Sequence, residues 1–253
     1  MKRICLQEID STNNYVKRLI AERCAEACDE LIVTTDAQTA GRGQRGNSWE
    51  TEPGKNLIFS MLVHPDSLLP SNIFFLSEVV ALSVCQALKT FLPQAEGWRM
   101  RVKWPNDIYF GDRKIAGILI ETDLMGRRVA NGIIGVGVNI NQQHFLSDAP
   151  NPISLQQIRG CDTEREAVLA AVLEHFVRFY AMMQRGETND LHARYKAVLY
   201  RGEGFHTYED TKKGRFEARI RDVEPTGHLL LEDRQGVVKR YAFKEVAFII
   251  QNQ

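Results

Sequence analysis

Between Arg99 and Ile140 the chain offers four runs of strand-forming residues: RMRVKW (99–104), IYF (108–110), KIAGILIETDL (114–124) and VANGIIGVGVNI (129–140). Short turns around Gly111-Asp112 and Met125-Gly126-Arg127 separate the last three. Connections this short join antiparallel neighbours, because a parallel pair needs a crossover of a dozen residues or more. The centre of the chain is thereby committed to a mainly antiparallel sheet. LIVTT (31–35) and NLIFSMLV (56–63) add two strands, the second apolar enough to be mostly buried.

Helical patterns flank these strands. Asp10-Ser11-Thr12-Asn13 offers several N-caps before an amphipathic stretch over 13–27. SNIFFLSEVVALSVCQALKTFL predicts a buried helix over 72–92, closed by Pro93. Thr163 is expected to cap a long helix, EREAVLAAVLEHFVRFYAMMQ, and a shorter helical stretch runs over 189–199. From Gly204 onward, FEARIRDV, HLLLED, VKRYAF and VAFII alternate with Gly and charged turns, as in a small β-barrel of roughly 50 residues. The expected class is α+β, a mixed, mainly antiparallel sheet packed with helices over 1–200 and a small β-barrel over 201–253. With 44% hydrophobic residues in 253, the chain can bury a sizeable core.

Composition removes some functions. Thirty-two basic residues balance 32 acidic ones, so no global field draws the chain to nucleic acid or an anionic membrane. The N-terminus lacks the apolar run of a signal peptide, and the apolar stretches read as shorter than the ~20 residues of a membrane span, so a cytoplasmic location is expected. Cys5, Cys24, Cys28, Cys85 and Cys161 are odd in number and form no C-x-x-C pair, although Cys24 and Cys28 would share a helix face. Reduced thiols are the preferred reading.

Gly41, Gly43 and Gly46 form a G-x-G-x-x-G pattern, but no helix can start on the last glycine. Pro53 and Gly54 follow, without an apolar 3.6-residue period, so this is no dinucleotide-binding turn. The stretch instead offers backbone able to adopt positive φ, together with two guanidiniums, Arg42 and Arg45, suited to enclosing a phosphate or carboxylate. Taken alone, it reads equally as a flexible surface loop.

In KWPNDIYFGDRKIAGILIE (103–121), Lys103, Asp107 and Lys114 converge near one hairpin with Asn106 in its turn, and Gly117 permits close approach of a ligand. The lysines suit phosphoryl charge, and Asp107 suits magnesium on a nucleotide. Standing alone, this is an ordinary Pro-Asn-Asp turn. GVGVNIN (135–141) puts Gly135, Gly137 and Asn139 on one strand face, either for something flat or for close helix packing.

In this order, D-S-T-N-N, Q-T-A-G-R-G-Q-R-G-N-S-W, K-W-P-N-D with R-K-I-A-G-I-L-I-E, and G-V-G-V-N-I-N resemble the biotin protein ligases over nearly the whole chain. The resemblance implies a class II synthetase-like catalytic domain with a C-terminal SH3-like barrel. It also implies the activity: MgATP activates biotin to biotinyl-5′-AMP, and biotin then passes to one lysine of a biotin carboxyl carrier protein domain in a carboxylase such as acetyl-CoA carboxylase. ATP with Mg2+, and biotin, are thus substrates rather than permanently bound cofactors.

By match to the family motifs, the candidate biotin-binding residues are Ser11, Thr12, Asn13, Gln38, Gly41, Arg42, Gly43, Lys114, Gly117 and Gly135. Those for ATP are Arg42, Arg45, Trp49, Lys103, Asn106, Lys114 and Asn139, with an exposed Trp49 stacking on adenine. Arg42, Lys103, Lys114 and Asp107 are the candidate catalytic residues, and Asp107 would also hold the metal. Gln44 departs from members with arginine there. D-S-T-N-N begins at residue 10, leaving no room for the DNA-binding domain of some relatives, so a single-function ligase without DNA binding is expected, and the resemblance allows a homodimer. Lipoate ligases or octanoyl transferases are the nearest enzyme alternative, although their R-R-x-x-G-G-G type loop differs. A catalytically dead binding protein is the alternative from another class.

Overall fold

The computed structural model describes residues 1–24, 29–65, 68–146 and 151–250. The antiparallel run at the centre of the sequence becomes one half of a seven-stranded sheet. Its order is β1 (Lys2–Ile9), β2 (Leu31–Gln38), β3 (Leu57–Val63), β7 (Arg128–Val138), β6 (Arg113–Met125), β5 (Asp107–Phe110) and β4 (Met100–Lys103). Only β1 and β2 run parallel, with Ile4 opposite Val33. The sheet is therefore mixed and mainly antiparallel, as expected.

Strand β1 has no counterpart in the sequence reading. It is an edge strand with most side chains exposed, so its two inward residues, Ile4 and Leu6, leave little apolar signal.

Among the described residues five α-helices complete this part: α1 (Thr12–Ala21), α2 (Phe74–Lys89), α3 (Leu155–Arg159), α4 (Arg165–Gln184) and α5 (Thr188–Ala197). Phe59, Met61 and Val63 of β3, with Ile134, Val136 and Val138 of β7, join α2 and α4 in the main core. Leu62 and Ile133 point the other way, toward Val16 of α1. That second, thinner cover leaves part of the sheet face open.

Helix α1 ends at Ala21, short of the expected residue 27. Residues 25–27 and Cys28 lie outside the described residues, and Cys24 falls beyond the helix end. Cys5, Cys85 and Cys161 are free thiols. Thr163 does not cap α4, whose N-cap is Glu164. Its hydroxyl instead accepts from Arg159 and its backbone N–H donates to Asn141 Oδ1 at 2.9 Å, tying the preceding loop down. Helix α3 went unread although Ser154 and Gln157 form a full capping box.

The segment Pro70–Lys89 is, contrary to expectation, long and apolar enough to cross a membrane by length and composition. In its most apolar window 72% is buried inside the fold, and packing between sheet and helices accounts for that apolarity.

The C-terminal strands form a second antiparallel sheet of SH3-like kind. Its order is β11 (Val238–Tyr241), β10 (Leu229–Asp233), β9 (Gly214–Val223), β8 (His206–Asp210) and β12 (Val246–Phe248). It is not a loose appendage. Tyr208, Ile220 and Leu229 belong to the same buried cluster as Phe74 and Tyr195, and Trp104 Nε1 donates to Gly227 O at 3.0 Å. His192 on α5 bridges the two parts, with Nδ1 2.7 Å from Glu78 Oε1 on α2 and Nε2 2.8 Å from Asp222 Oδ1 on β9.

Candidate active site

On the sheet face that carries α1, side chains shrink toward the middle. Ser60 of β3 sits opposite Gly135 of β7, and Gly137 sits opposite Gly117 of β6. A Cβ on Gly135 would run into the Asn13 amide, and one on Gly137 into the Trp49 indole. The missing side chains open a cavity of about 730 Å3, within the usual range of small-molecule sites.

A register shift aims β6 into this cavity. Ile108 and Tyr109 are consecutive on β5, yet their partners are Ala116 and Lys114. Ile115 and Ala116 both turn into the core, which keeps Lys114 on the same face as Gly117.

One end of the cavity is polar and closely bonded. Ser11 is the N-cap residue of α1 but makes no side-chain cap bond. The Gln38 side chain serves instead, its Oε1 accepting from the Thr12 backbone N–H at 2.9 Å and hydroxyl at 3.2 Å. The Ser60 hydroxyl lies 2.7 Å from Thr12 Oγ1 and 2.6 Å from Asn13 Oδ1. Asn13 Nδ2 then donates to Glu121 Oε2 at 2.9 Å. Such an array holds hydroxyls and amides rigid, so a ligand with both N–H and C=O groups meets pre-set partners.

The other end is cationic. Lys114 Nζ lies 2.7 Å from Asp107 Oδ1. Lys103 Nζ pairs with no carboxylate among the described residues. It rests over two rings, 5.1 Å from the centroid of Tyr109 and 5.2 Å from that of Phe248, and burial pushes its pKa down. Asn106 closes the turn between them, its Nδ2 donating to Ile118 O at 2.6 Å, after a cis Trp104–Pro105 bond.

Over the cavity the glycine loop folds as a small hairpin, with Trp49 N donating to Gly41 O at 3.0 Å and Gly43 N to Asn47 O at 2.6 Å. No helix follows its last glycine. Of the three glycines only Gly46 takes a left-handed φ, +87°; Gly41 is required because a Cβ would meet the Trp49 carbonyl. Arg42 Nη1 donates to Asn14 Oδ1 at 2.8 Å, and Nη2 lies 2.9 Å from Glu121 Oε1, which also takes Lys17 Nζ at 2.7 Å. Burial raises the Glu121 pKa, but the bonds from Lys17 and Asn13 and the Arg42 charge outweigh it and hold the carboxyl below its usual range.

Most of the residues singled out from sequence meet here. Ser11, Thr12, Asn13, Gln38, Arg42, Gly43, Trp49, Lys103, Asn106, Asp107, Lys114, Gly117 and Gly135 line the one cavity, and Gly41 backs it through the loop hairpin. The Arg45 side chain lies outside what the structure describes. Asn139 stands apart: it is buried and donates from Nδ2 to Ile153 O at 3.1 Å, pinning residues 153–155 to the sheet end instead of reaching the cavity. Trp49 is half-buried, not exposed, because its indole lies against Gly117 and Gly137 with Nε1 buried and unpartnered. The flat group against the glycine face is thus the chain's own indole. Glu121 and Ser60 were missed; Ser60, a lone hydroxyl inside an otherwise apolar strand, carried the only readable signal.

The cavity thus joins a hydrogen-bonding end to a cationic end, and comparison with known proteins adds the family. The profile of the biotin/lipoate A/B protein ligase family matches residues 5–139. "Bifunctional ligase/repressor BirA" of Bacillus spizizenii is 30% identical over 239 residues, covering 92% of this chain and 70% of that protein. "Biotin--[acetyl-CoA-carboxylase] ligase" of Paracoccus denitrificans is 30% identical, covering 70% of this chain and 72% of its own. In fold, a biotin protein ligase from Aquifex aeolicus, solved in complex with biotin and ATP, superposes with a TM-score of 0.78 at 24% identity over 99% of both chains. The chain belongs to the biotin/lipoate A/B protein ligase family, and it is an enzyme of the biotin ligase kind.

Proposed function

We propose that the chain activates biotin to biotinyl-5′-AMP with MgATP and transfers the biotinyl group to one lysine of a biotin carboxyl carrier domain. The observation that carries this reading is the polarity of a single cavity, uncharged and hydrogen-bonding at Ser11, Thr12, Asn13 and Gln38, cationic at Lys103 and Lys114. A ureido ring suits the first end. The second suits the meeting of a carboxylate with a triphosphate, which repel each other unless fixed positive charge lies between them.

In this reading Lys114 binds the carboxyl and phosphate oxygens, and Lys103 the phosphates. Arg42 and the loop cover the mixed anhydride against water. Trp49 leaves its seat on Gly137 to stack on adenine. Magnesium enters with the nucleotide as part of the substrate; Asp107 suits it by donor type, and taking it up means sharing a carboxylate now balanced by Lys114. The attacking amine comes from the carrier, so no protein nucleophile is needed. We further propose a division near residue 200 into a catalytic and a C-terminal domain, work in the cytoplasm, and no role in DNA binding, given the balanced charge.

The test is a mass measurement on a carrier domain incubated with the chain, biotin and MgATP. One biotinyl addition at one lysine supports the proposal. An unchanged carrier mass, with preformed biotinyl-AMP as well, contradicts it.

A further inference from the structure

The two lysines of the cavity differ in a way that reaches the second sheet. Lys114 is neutralised by Asp107 at 2.7 Å. Lys103 sits opposite Asp107 in the β4–β5 register and feels its charge, but its Nζ makes no ion pair with it and is held between the ring of Tyr109, on β5, and the ring of Phe248, on β12 of the C-terminal sheet. A half-buried ammonium with no bonded carboxylate is costly unless something replaces its lost hydration, and two aromatic faces do so without neutralising its charge. Lys103 thus stays available to an anion that enters the cavity.

Phe248 is seated for this by contacts of its own. Its ring meets Tyr208 edge-on at 5.0 Å and tilts against Tyr200 at 6.1 Å. Strand β12 is paired to β8, with Phe248 opposite Tyr208, and Arg201 fastens the next residue by donating from Nη2 to Ile249 O at 2.9 Å. The ring is therefore packed and paired within the C-terminal sheet, while its face lies against a lysine that lines the cavity.

We infer that Phe248 is a positioning residue for Lys103, through which the C-terminal sheet backs the anion-binding end of the cavity. Its effect on nucleotide rests on the function proposed above, whereas the cage around Lys103 does not.

Two measurements separate these. The first is trace acetylation of the lysines with acetic anhydride, mapped by mass spectrometry on the full chain, in wild type, Phe248→Leu and Phe248→Tyr. Leucine keeps an apolar filling and removes the aromatic face, so Lys103 labelling should rise by about threefold to tenfold. Lys114 labelling should stay constant, and tyrosine should restore the wild-type rate. An unchanged Lys103 rate in a folded Phe248→Leu protein overturns the inference, whether or not the chain ligates biotin.

The second is biotin-dependent exchange of pyrophosphate into ATP. Phe248→Leu should raise the KM for MgATP by about threefold to tenfold with the KM for biotin unchanged. A proportional fall in kcat alone, with both KM values kept, would reduce Phe248 to a packing residue and overturn its positioning role. If the wild-type chain exchanges nothing while the labelling result holds, the proposed function fails and the cage stands.

Discussion

Lys114 and Asp107 face each other across the cavity mouth at 2.7 Å, their side chains 26% and 16% exposed, and the register shift at Ile108–Tyr109 puts them there. Replacing the lysine leaves Asp107 as an uncompensated negative charge where a phosphate should bind. Lys114→Met should lower biotin-dependent pyrophosphate exchange by at least about 100-fold. A partly exposed pair contributes little to folding, so its denaturant midpoint should shift by less than about 1 kcal/mol of stability.

Asp107 separates the two half-reactions. Asp107→Ala should lose most ATP-dependent ligation yet still transfer biotin from preformed biotinyl-AMP to the carrier, since its assigned work is on the nucleotide. Equal loss in both assays would make it the base that deprotonates the acceptor lysine.

Glu121 ties Arg42, Lys17 and Asn13 together, and its carboxyl pKa is held low in the fold. A depressed folded value contributes stability that is complete above the ordinary value near 4.5 and is lost as pH falls through the lower folded value. Urea midpoints measured from pH 6 down to pH 3 should show an acid loss about 1 kcal/mol larger in wild type than in Glu121→Gln.

His192 gives the opposite sign. Its bond to the buried Glu78 raises its pKa above 6.5, so its contribution is complete below that pH and is lost as pH rises through the higher folded value. Stability should decline between pH 6 and pH 9 in wild type, and the decline should vanish only in a His192→Gln, Glu78→Gln double variant, because burial already raises the Glu78 pKa and loss of its partner raises it further. At pH 6 His192→Gln alone should be weaker by about 2 kcal/mol, because Glu78 is left buried without its partner.

Gly137 seats the Trp49 indole. Gly137→Ala should drive the ring off the sheet and shift tryptophan emission to the red, while the same change in a Trp49→Phe background should leave emission unaltered, Trp98 and Trp104 being distant from it in sequence and environment.

What the sequence revealed follows from the range of each interaction. Short turns and apolar runs are local, so the central strands and α2 and α4 were readable to within a few residues. The meeting of Lys103, Asp107 and Lys114 was readable too, because one hairpin carries all three. Strand β1 was not, since an edge strand with two inward residues resembles a loop. Phe248 lies 145 positions from Lys103, and only the docking of the second sheet joins them. Asn139 and Trp49 misled for a related reason: a side chain's place on a strand face or after a glycine loop does not say which neighbour claims it. Ile153 O claims the Asn139 amide, and the bare glycines of β6 and β7 claim the Trp49 ring.

The most direct test is pyrophosphate exchange into ATP by the purified chain, with magnesium and with biotin, lipoate or octanoate supplied singly. Exchange with biotin alone is the expected result, since the polar end formed by Thr12, Asn13 and Gln38 suits a ureido ring and has no counterpart in a linear acyl chain. Exchange with lipoate or octanoate in place of biotin would contradict that assignment, and none with any acid would contradict acyl-adenylate chemistry altogether.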